Sequence, residues 1–311
     1  MRSKIPADVT HVDGLLLIDK PSGPTSHDVV SEVRRILGGV KSGHTGTLDP
    51  LASGLLVVLI GKATKLAPFV KGDPKIYEGT MVLGITTDTM DTDGTVTSEI
   101  LCQAEADQVS ELLASLSGEM EQIPPIYSAV KFKGKPSYRY ARRGEEVPRP
   151  PRKVNVYRSE MTDFRKLRKR VEVDFIISCS PGFYVREYAS RVGDNLGCGA
   201  ALSSLRRLAS GPFHLDRALT LEGLQAAWEG TSSPISPPLA ALEGLNRLKV
   251  AVEGLTQARN GVPLEQPMIE EFDGEPREGD LVAVIEPGGE LLGVHEVARE
   301  YPLKSKPRRM L

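Results

Sequence analysis

The sequence, 311 residues long, predicts an α+β protein, and three patterns carry that prediction. Strand-like and helix-like segments are mixed without a regular βαβ repeat. Two apolar runs, LLLI at 15–18 and LLVVLI at 55–60, have the length of buried strands. A Pro- and Ser-rich stretch, TSSPISPPL at 231–239, reads as a linker ahead of a β-rich tail over 241–311.

In chain order, GLLLIDK (14–20) reads as a strand and PSGPTS as the turn behind it. Val29, Val30, Val33, Ile36 and Leu37 share one helical face, and Thr25 with Asp28 has the spacing of a capping box. A glycine-rich loop follows, then a strand at 54–60 and a short helix near 63–70. From Tyr77 to Ile85 apolar residues alternate with mostly polar ones, the pattern of a strand. Val109, Leu112, Leu113 and Leu116 form a helix stripe ending at Gly118. Over 131–153 two glycines and the prolines at 136, 148, 150 and 151 argue against a regular helix or strand. Val171, Val173, Phe175, Ile177 and Cys179 alternate as another strand, with a helix over 183–195 behind it. Two apolar runs in LVAVIEPGGELLGVHEV (281–297) flank a Pro-Gly-Gly turn as a hairpin.

Composition narrows the function class. No apolar run is long enough to span a bilayer, and the first residues, MRSKIPADVTHVDG, lack the apolar region of a secretory signal. Cys102, Cys179 and Cys198 are odd in number and widely spaced, which argues for a reducing cytoplasm and against a disulfide framework or a zinc site. The net charge of −2 hides a strong polarity. Residues 76–130 hold ten acids and no Lys or Arg, whereas 124–170 hold fifteen Lys or Arg against four acids. Tyr127, Phe132, Tyr138, Tyr140 and Tyr157 interleave with the basic run. That mixture suits phosphates and splayed bases, though charge alone fits a solvated surface loop equally well.

The motifs of familiar chemistries are missing. His11, His27, His44, His214 and His295 stand at no metal-ligand spacing, and GKATK (61–65) is too short for a P-loop. No GxGxxG follows a strand, and no GxSxG elbow is present. What remains is GHTGTLDPLASGLL (43–56), where Asp49 sits before Pro50 among three glycines. A lone carboxylate suits nucleophilic or acid–base work without a cofactor or metal, although an Asp before Pro is more often a turn residue.

This stretch resembles the catalytic motif of the TruB family of tRNA pseudouridine synthases, and four further segments agree in order. LLLIDKPSGPTSHDVV resembles the family's lysine-proline motif, with Lys20 and Pro21 in place. DPKIYEGTMVLGITTDTMDTDG resembles the segment carrying the active-site tyrosine, here Tyr77. CSPGFYVREYASRVGDNLG resembles the motif with a substrate tyrosine and a catalytic arginine, here Tyr184 and Arg186. LSSLRRLASGPF resembles the motif whose leucine faces the target base, here Leu205. The basic run IPPIYSAVKFKGKPSYRYARRGEEVPRPPRKV resembles the RNA-gripping insertion of the stand-alone bacterial enzymes. The tail, through VEGLTQARNGVPL and the 281–297 hairpin, more loosely resembles a PUA domain.

The resemblance implies a mixed, largely antiparallel sheet in a catalytic domain at 1–240, with a basic insertion at about 124–155, and a PUA-like RNA-binding domain at 241–311. It implies isomerisation of uridine 55 in the tRNA T-loop by base flipping, by a cytoplasmic monomer needing no guide RNA. Asp49, Tyr77 and Arg186 would be catalytic, with Arg186 keeping Asp49 ionised. Lys20, His44, Thr45, Gly46, Lys131, Tyr184 and Leu205 would meet the substrate or brace its pocket. Arg142, Arg143, Arg149 and Arg152 would grip the RNA backbone. A non-catalytic RNA-folding protein using the same groove is the second expectation.

Overall fold

The computed structural model describes residues 12–125, 131–132, 135–136, 140, 147–168, 170–230 and 233–311. Its first half is organised by a nine-stranded sheet. The chain enters as β1 (Gly14–Lys20), the predicted strand, and turns into α1 (Ser26–Ile36). The expected capping box is present, with the Asp28 amide donating to Thr25 Oγ1 at 3.1 Å and the Thr25 amide to Asp28 Oδ2 at 2.9 Å. Val29, Val30, Val33 and Ile36 press the helix onto the sheet.

β2 (Ser42–His44) and β3 (Ser53–Ile60) bracket the glycine-rich loop, and a 3₁₀ turn at Gly61–Phe69 replaces the helix expected near 63–70. Pro68 lies inside that turn, and the Thr64 hydroxyl bonds back to the Gly61 carbonyl. β4 (Lys75–Leu83) stops two residues short of the expected strand. Gly84 adopts φ +94°, and a Cβ there would lie 2.7 Å from the Ile100 carbonyl oxygen. The chain therefore leaves the sheet as a separate hairpin, β5 (Ile85–Thr87) with β6 (Val96–Glu99).

α2 (Ala106–Ser115) leads to β7 (Gly118–Gln122), then to the short pair β8 (Lys131–Phe132) and β9 (Lys135–Pro136). Two strands of two residues each are the extent of this pair. β10 (Arg152–Lys166) returns beside β7 with Arg152 opposite Gln122, so the residues from 152 onward belong to the main sheet. The basic excursion thus leaves and re-enters between two adjacent antiparallel strands. β11 (Val171–Cys179), α3 (Val185–Asn195), β12 (Ala200–Ser210), β13 (Phe213–His214) and α4 (Leu221–Glu229) complete this half. The sheet order is β1-β3-β12-β4-β11-β10-β7, antiparallel except where β3 and β12 run parallel at Ser53–Arg206 and Gly54–Arg207.

The stretch read as a linker is held in place. Ser236 exchanges two backbone hydrogen bonds with Leu15 at 2.9 and 3.0 Å, and Ala241 and Leu242 are buried. Beyond it, β14 (Asn246–Val250), α5 (Leu255–Arg259), β15 (Leu264–Glu265), β16 (Ile269–Phe272), β17 (Leu281–Ile285), β18 (Leu291–Arg299) and β19 (Lys304–Met310) form a six-stranded near-barrel. Leu248, Val250, Val282, Val284 and Val297 fill it. Ala283, Leu291 and Val294 share a second cluster with Leu15, Leu17 and Leu55, so the two sheets are packed together.

Two predictions follow from this packing. A Cβ on Gly193 of α3 would lie 2.1 Å from the Ala200 amide nitrogen. Gly193→Ala should lower stability in urea by about 1–3 kcal/mol, and Gly288→Ala, with nothing within 4 Å of its Cβ, by less than about 0.5 kcal/mol. His295 is buried with Nδ1 2.9 Å from Ser305 Oγ, and burial pushes its imidazole down from 6.5 to about 4. The unfolded chain takes up this proton below pH 6.5 while the fold refuses it, so stability is full above 6.5 and falls as pH drops toward 4. At 1.36 kcal/mol per pH unit the loss is about 3 kcal/mol, and His295→Gln should abolish that part of the acid sensitivity.

Candidate active site

One pocket of about 270 Å³ opens on the first sheet, lined by Gly46, Thr47, Leu48, Asp49, Lys75, Tyr77, Gly182, Phe183, Tyr184, Val185, Arg186 and Leu205. Residues from four of the five resembling motifs therefore meet on one wall system, and the fifth supports it from behind.

The loop that presents Asp49 is pinned at nearly every residue. The Thr45 amide donates to the Val57 carbonyl at 3.0 Å. Buried Ser26, at the start of α1, accepts from the Leu48 amide at 2.8 Å and donates to the Leu48 carbonyl at 2.9 Å. Lys20 is wholly buried, and its ammonium donates to the carbonyls of Pro21 at 2.9 Å, Pro50 at 3.3 Å and Ala52 at 2.5 Å. Burial lowers its pKa to about 8, with Asp49 acting in the opposite sense. Lys20 thus ties three carbonyls of the loop and its flank to one buried ammonium. Leu48 and Ala52 are buried by these contacts, while the Asp49 side chain stays 41% exposed.

Arg186 comes from the first turn of α3, and its side chain is only 6% exposed. Its Nε lies 2.9 Å from Asp49 Oδ2, and its Nη1 donates to the Thr89 carbonyl at 2.9 Å and lies 3.3 Å from Asp91 Oδ2. A cation at a helix N-terminus opposes the helix dipole. The two carboxylates offset that. Asp91 is itself buried and accepts from Thr89 Oγ1 at 2.6 Å. The turn carrying it includes Met90 at φ +62°, and Leu202 pins that turn by donating to the Met90 carbonyl and accepting from the Thr92 amide.

Tyr77 sits in mid-sheet, opposite Arg207 of β12 and Ile177 of β11, and is 5% exposed. Burial raises the pKa of its phenol, partly countered by Arg207, so the hydroxyl is held protonated. Leu205 lies opposite Gly79, where a Cβ would meet Leu205 Cδ1 at 3.2 Å; the glycine leaves the leucine its place at the pocket. Tyr184 precedes α3, and Gln122 fixes it from both sides. The Tyr184 amide donates to Gln122 Oε1 at 2.9 Å, and Gln122 Nε2 donates to the Tyr184 carbonyl at 3.1 Å.

His44 is in β2, with Nδ1 buried and without a hydrogen bond among the described residues. Burial, then Arg207 and His27, lower its pKa, which favours the neutral ring. Of the expected RNA-gripping residues, Arg149 donates to the Pro124 carbonyl at 2.9 Å and Arg152 opens β10 exposed to solvent. Arg142, Arg143 and the side chain of Lys131 lie outside the described residues. Among the described residues no group of three or more His, Cys, Asp or Glu is placed to hold a metal, and no helix is long and apolar enough to cross a membrane.

Sequence reasoning missed Asp91, Lys75, Gln122 and Arg207. Arg207 left a signal: of two successive arginines in an apolar strand, alternation turns one inward. Arg207 is 0% exposed, donating from Nε to the Leu55 carbonyl at 2.7 Å and from Nη2 to the Gly46 carbonyl at 3.1 Å. The Gln122 clamp is testable alone. Gln122→Ala removes both bonds to Tyr184 and should cost about 1–3 kcal/mol in chemical unfolding.

A family model described as TruB family pseudouridylate synthase (N terminal domain) matches residues 34–185, and one described as tRNA pseudouridylate synthase B C-terminal domain matches 186–246. The tRNA pseudouridine synthase B of Geobacillus thermodenitrificans is 43% identical over 273 residues, 85% of this chain and 89% of that protein. That of Geobacter sulfurreducens is 43% identical over 255 residues, 81% and 83% of the two chains. A chain in the crystal structure of a Cbf5-Nop10-Gar1 complex matches 96% of this chain and 84% of its own length, at TM-score 0.73 and 28% identity. A chain in the structure of an H/ACA RNP bound to a substrate RNA containing 2′-deoxyuridine matches at TM-score 0.74 and 25% identity, over 96% of this chain and 84% of that one.

Proposed function

The chain belongs to the TruB family of pseudouridylate synthases, which are isomerases, and from that membership we propose that it converts uridine 55 in the T-loop of tRNA to pseudouridine by flipping the base into the pocket of Asp49. Isomerisation breaks the bond from N1 to the ribose, turns the uracil and rejoins it through C5, with a proton leaving C5 and one gained at N1. No electron or group is exchanged with a donor, which fits a site built from a carboxylate, an arginine and apolar walls.

The observation that carries the reading is the Arg186–Asp49 contact at 2.9 Å, which aims an exposed carboxylate into a pocket bordered by Tyr77, Tyr184 and Leu205. Asp49 acts on the sugar, as nucleophile or as base. Arg186 holds it there, and is itself held by Asp91 and the Thr89 carbonyl. Tyr77 and Leu205 supply the faces against which a flat pyrimidine rests; unstacking that base costs a few kcal/mol. His44 enters the RNA loop. The basic excursion, through Arg142, Arg143, Arg149 and Arg152, grips the phosphates, and the near-barrel of 246–310 acts as a PUA-like RNA-binding module. In this reading the protein works in the cytoplasm as a monomer without a guide RNA, and its substrate is the one that the relatives' names print, tRNA.

The test is to incubate the protein with an unmodified tRNA transcript and map pseudouridine by chemical sequencing. A single new pseudouridine at position 55 is expected. Asp49→Asn, nearly isosteric and neutral, should retain tRNA affinity within about twofold and lose turnover by at least about a thousandfold, the scale on which a nucleophile or base acts. Substantial turnover by that variant would remove Asp49 from the chemistry. Any RNA-folding role separate from catalysis should survive in the same variant.

A further inference from the structure

Beside the Asp49–Arg186 pair the pocket is lined by one cation, Lys75, and backed by a second, Arg207, neither of which the mechanism above uses. Lys75 is two residues before Tyr77 on β4, so both project from the same face of the strand. Its ammonium makes no hydrogen bond or ion pair among the described residues. Arg207, 0% exposed, spends Nε and Nη2 on carbonyls, and its buried Nη1 has no acceptor among the described residues. The two converge on one point. A Cβ built on Gly46, which adopts φ +112°, would lie 3.1 Å from Lys75 Nζ and 3.7 Å from Arg207 Nη1. The missing side chain leaves a notch, and both nitrogens face it.

We propose that this notch is a phosphate subsite: Lys75, backed by Arg207, holds a non-bridging oxygen of the phosphodiester next to the flipped nucleotide. The proposal rests on the reading that the pocket takes a nucleotide from RNA. Charge selects the ligand. A half-buried ammonium beside a fully buried guanidinium favours an anion, and no carboxylate forms an ion pair with either among the described residues: Asp49 contacts Arg186, and Asp73, which attracts Lys75 from a distance, lies exposed and accepts from the Tyr157 hydroxyl. A neutral uracil carbonyl would leave that charge uncompensated, whereas a phosphodiester supplies one negative charge and strong acceptors. Burial, and then Arg207, lower the Lys75 pKa to about 8, the response of an ammonium lacking its counter-ion. Spacing agrees as well. Two residues of strand separate Lys75 from Tyr77 by about 7 Å, which suits a base on Tyr77 and its own backbone phosphate at the notch.

The test uses the full-length protein and RNA hairpins carrying a neutral methylphosphonate on the 5′ or the 3′ side of the target uridine. Lys75→Met keeps side-chain bulk while removing the charge. It should raise KM about tenfold, the worth of one charged hydrogen bond, with kcat within about twofold. One of the two methylphosphonates should raise the wild-type KM to a similar degree and have little further effect on Lys75→Met. Lys75→Arg should recover most of the loss. If the Lys75→Met and methylphosphonate effects multiply at both positions, or if kcat falls while KM holds, the subsite is wrong. Should Lys75→Met fail to fold, Lys75→Gln with the methylphosphonate pair decides by the same criterion. Filter binding on the same RNAs keeps this independent of catalysis. Loss of the non-additivity in Kd with pseudouridine still forming overturns the subsite alone, and absent pseudouridine with non-additivity intact overturns the activity alone.

Discussion

A guanidinium taken out of water has to find anions, and much of this fold is arranged around that demand. Arg186 begins a helix whose dipole repels it, so its neutralisation comes from two places far apart in sequence: the Asp49 loop and the turn that carries Asp91. Each is restrained by other parts of the chain. Ser26 and Lys20 hold the loop from the first strand and helix, while Leu202 pins the turn from β12. With two carboxylates and the Thr89 carbonyl around one guanidinium, either carboxylate can be neutralised without leaving the buried charge alone, whereas an isolated buried charge would cost far more than an exposed ion pair contributes. The exposed carboxylate of Asp49 is thereby fixed by side chains and backbone groups, those of Lys20, Ser26 and Leu202, that do not line the pocket.

The second constraint is the closeness of backbones under the pocket. β3 and β12 meet as the one parallel pairing of the described first sheet, at Ser53 and Gly54 against Arg206 and Arg207. A Cβ at Gly54 would lie 2.4 Å from the Arg207 carbonyl oxygen, so glycine alone permits this approach. The junction puts the end of the Asp49 loop beside Leu205 and buries Arg207 beneath Gly46. A central parallel contact in an otherwise antiparallel sheet is what brings residues 49, 77 and 205 to a common opening.

Much of this was readable in the chain. Alternation at 171–179 and the apolar runs at 14–20 and 54–60 announced their strands, because side-chain period is local physics. The Thr25–Asp28 box and Asp49 before Pro50 were equally plain. The stop at Gly84 was not, since what ends β4 is an approach to Ile100 sixteen residues away. The Pro- and Ser-rich 231–239 stretch has a linker's composition, yet Ser236 finds the free edge of β1 and pairs with it. Asp91 hid in an acid-rich turn, TTDTMDTDG, where nothing local distinguishes the one carboxylate that turns inward. Lys75 and Arg207 became meaningful only when the sheet set them against Gly46. Polar residues take their roles from partners that topology supplies, and periodicity carries no information on those.

The seat of the basic excursion has a mechanical consequence. Its two ends are hydrogen-bonded neighbours, since Arg152 pairs with Gln122 across β10 and β7. The side chain of that same Gln122 grips the backbone of Tyr184, one residue ahead of the helix that carries Arg186. The ends of the excursion are therefore tied to the helix of Arg186 by at least two links from β7, the Gln122 clamp on Tyr184 and the Arg191 bond to the Glu121 carbonyl at 2.7 Å. A displacement at the root of the excursion would thus be carried into the pocket wall by backbone-gripping side chains that line no part of the pocket themselves.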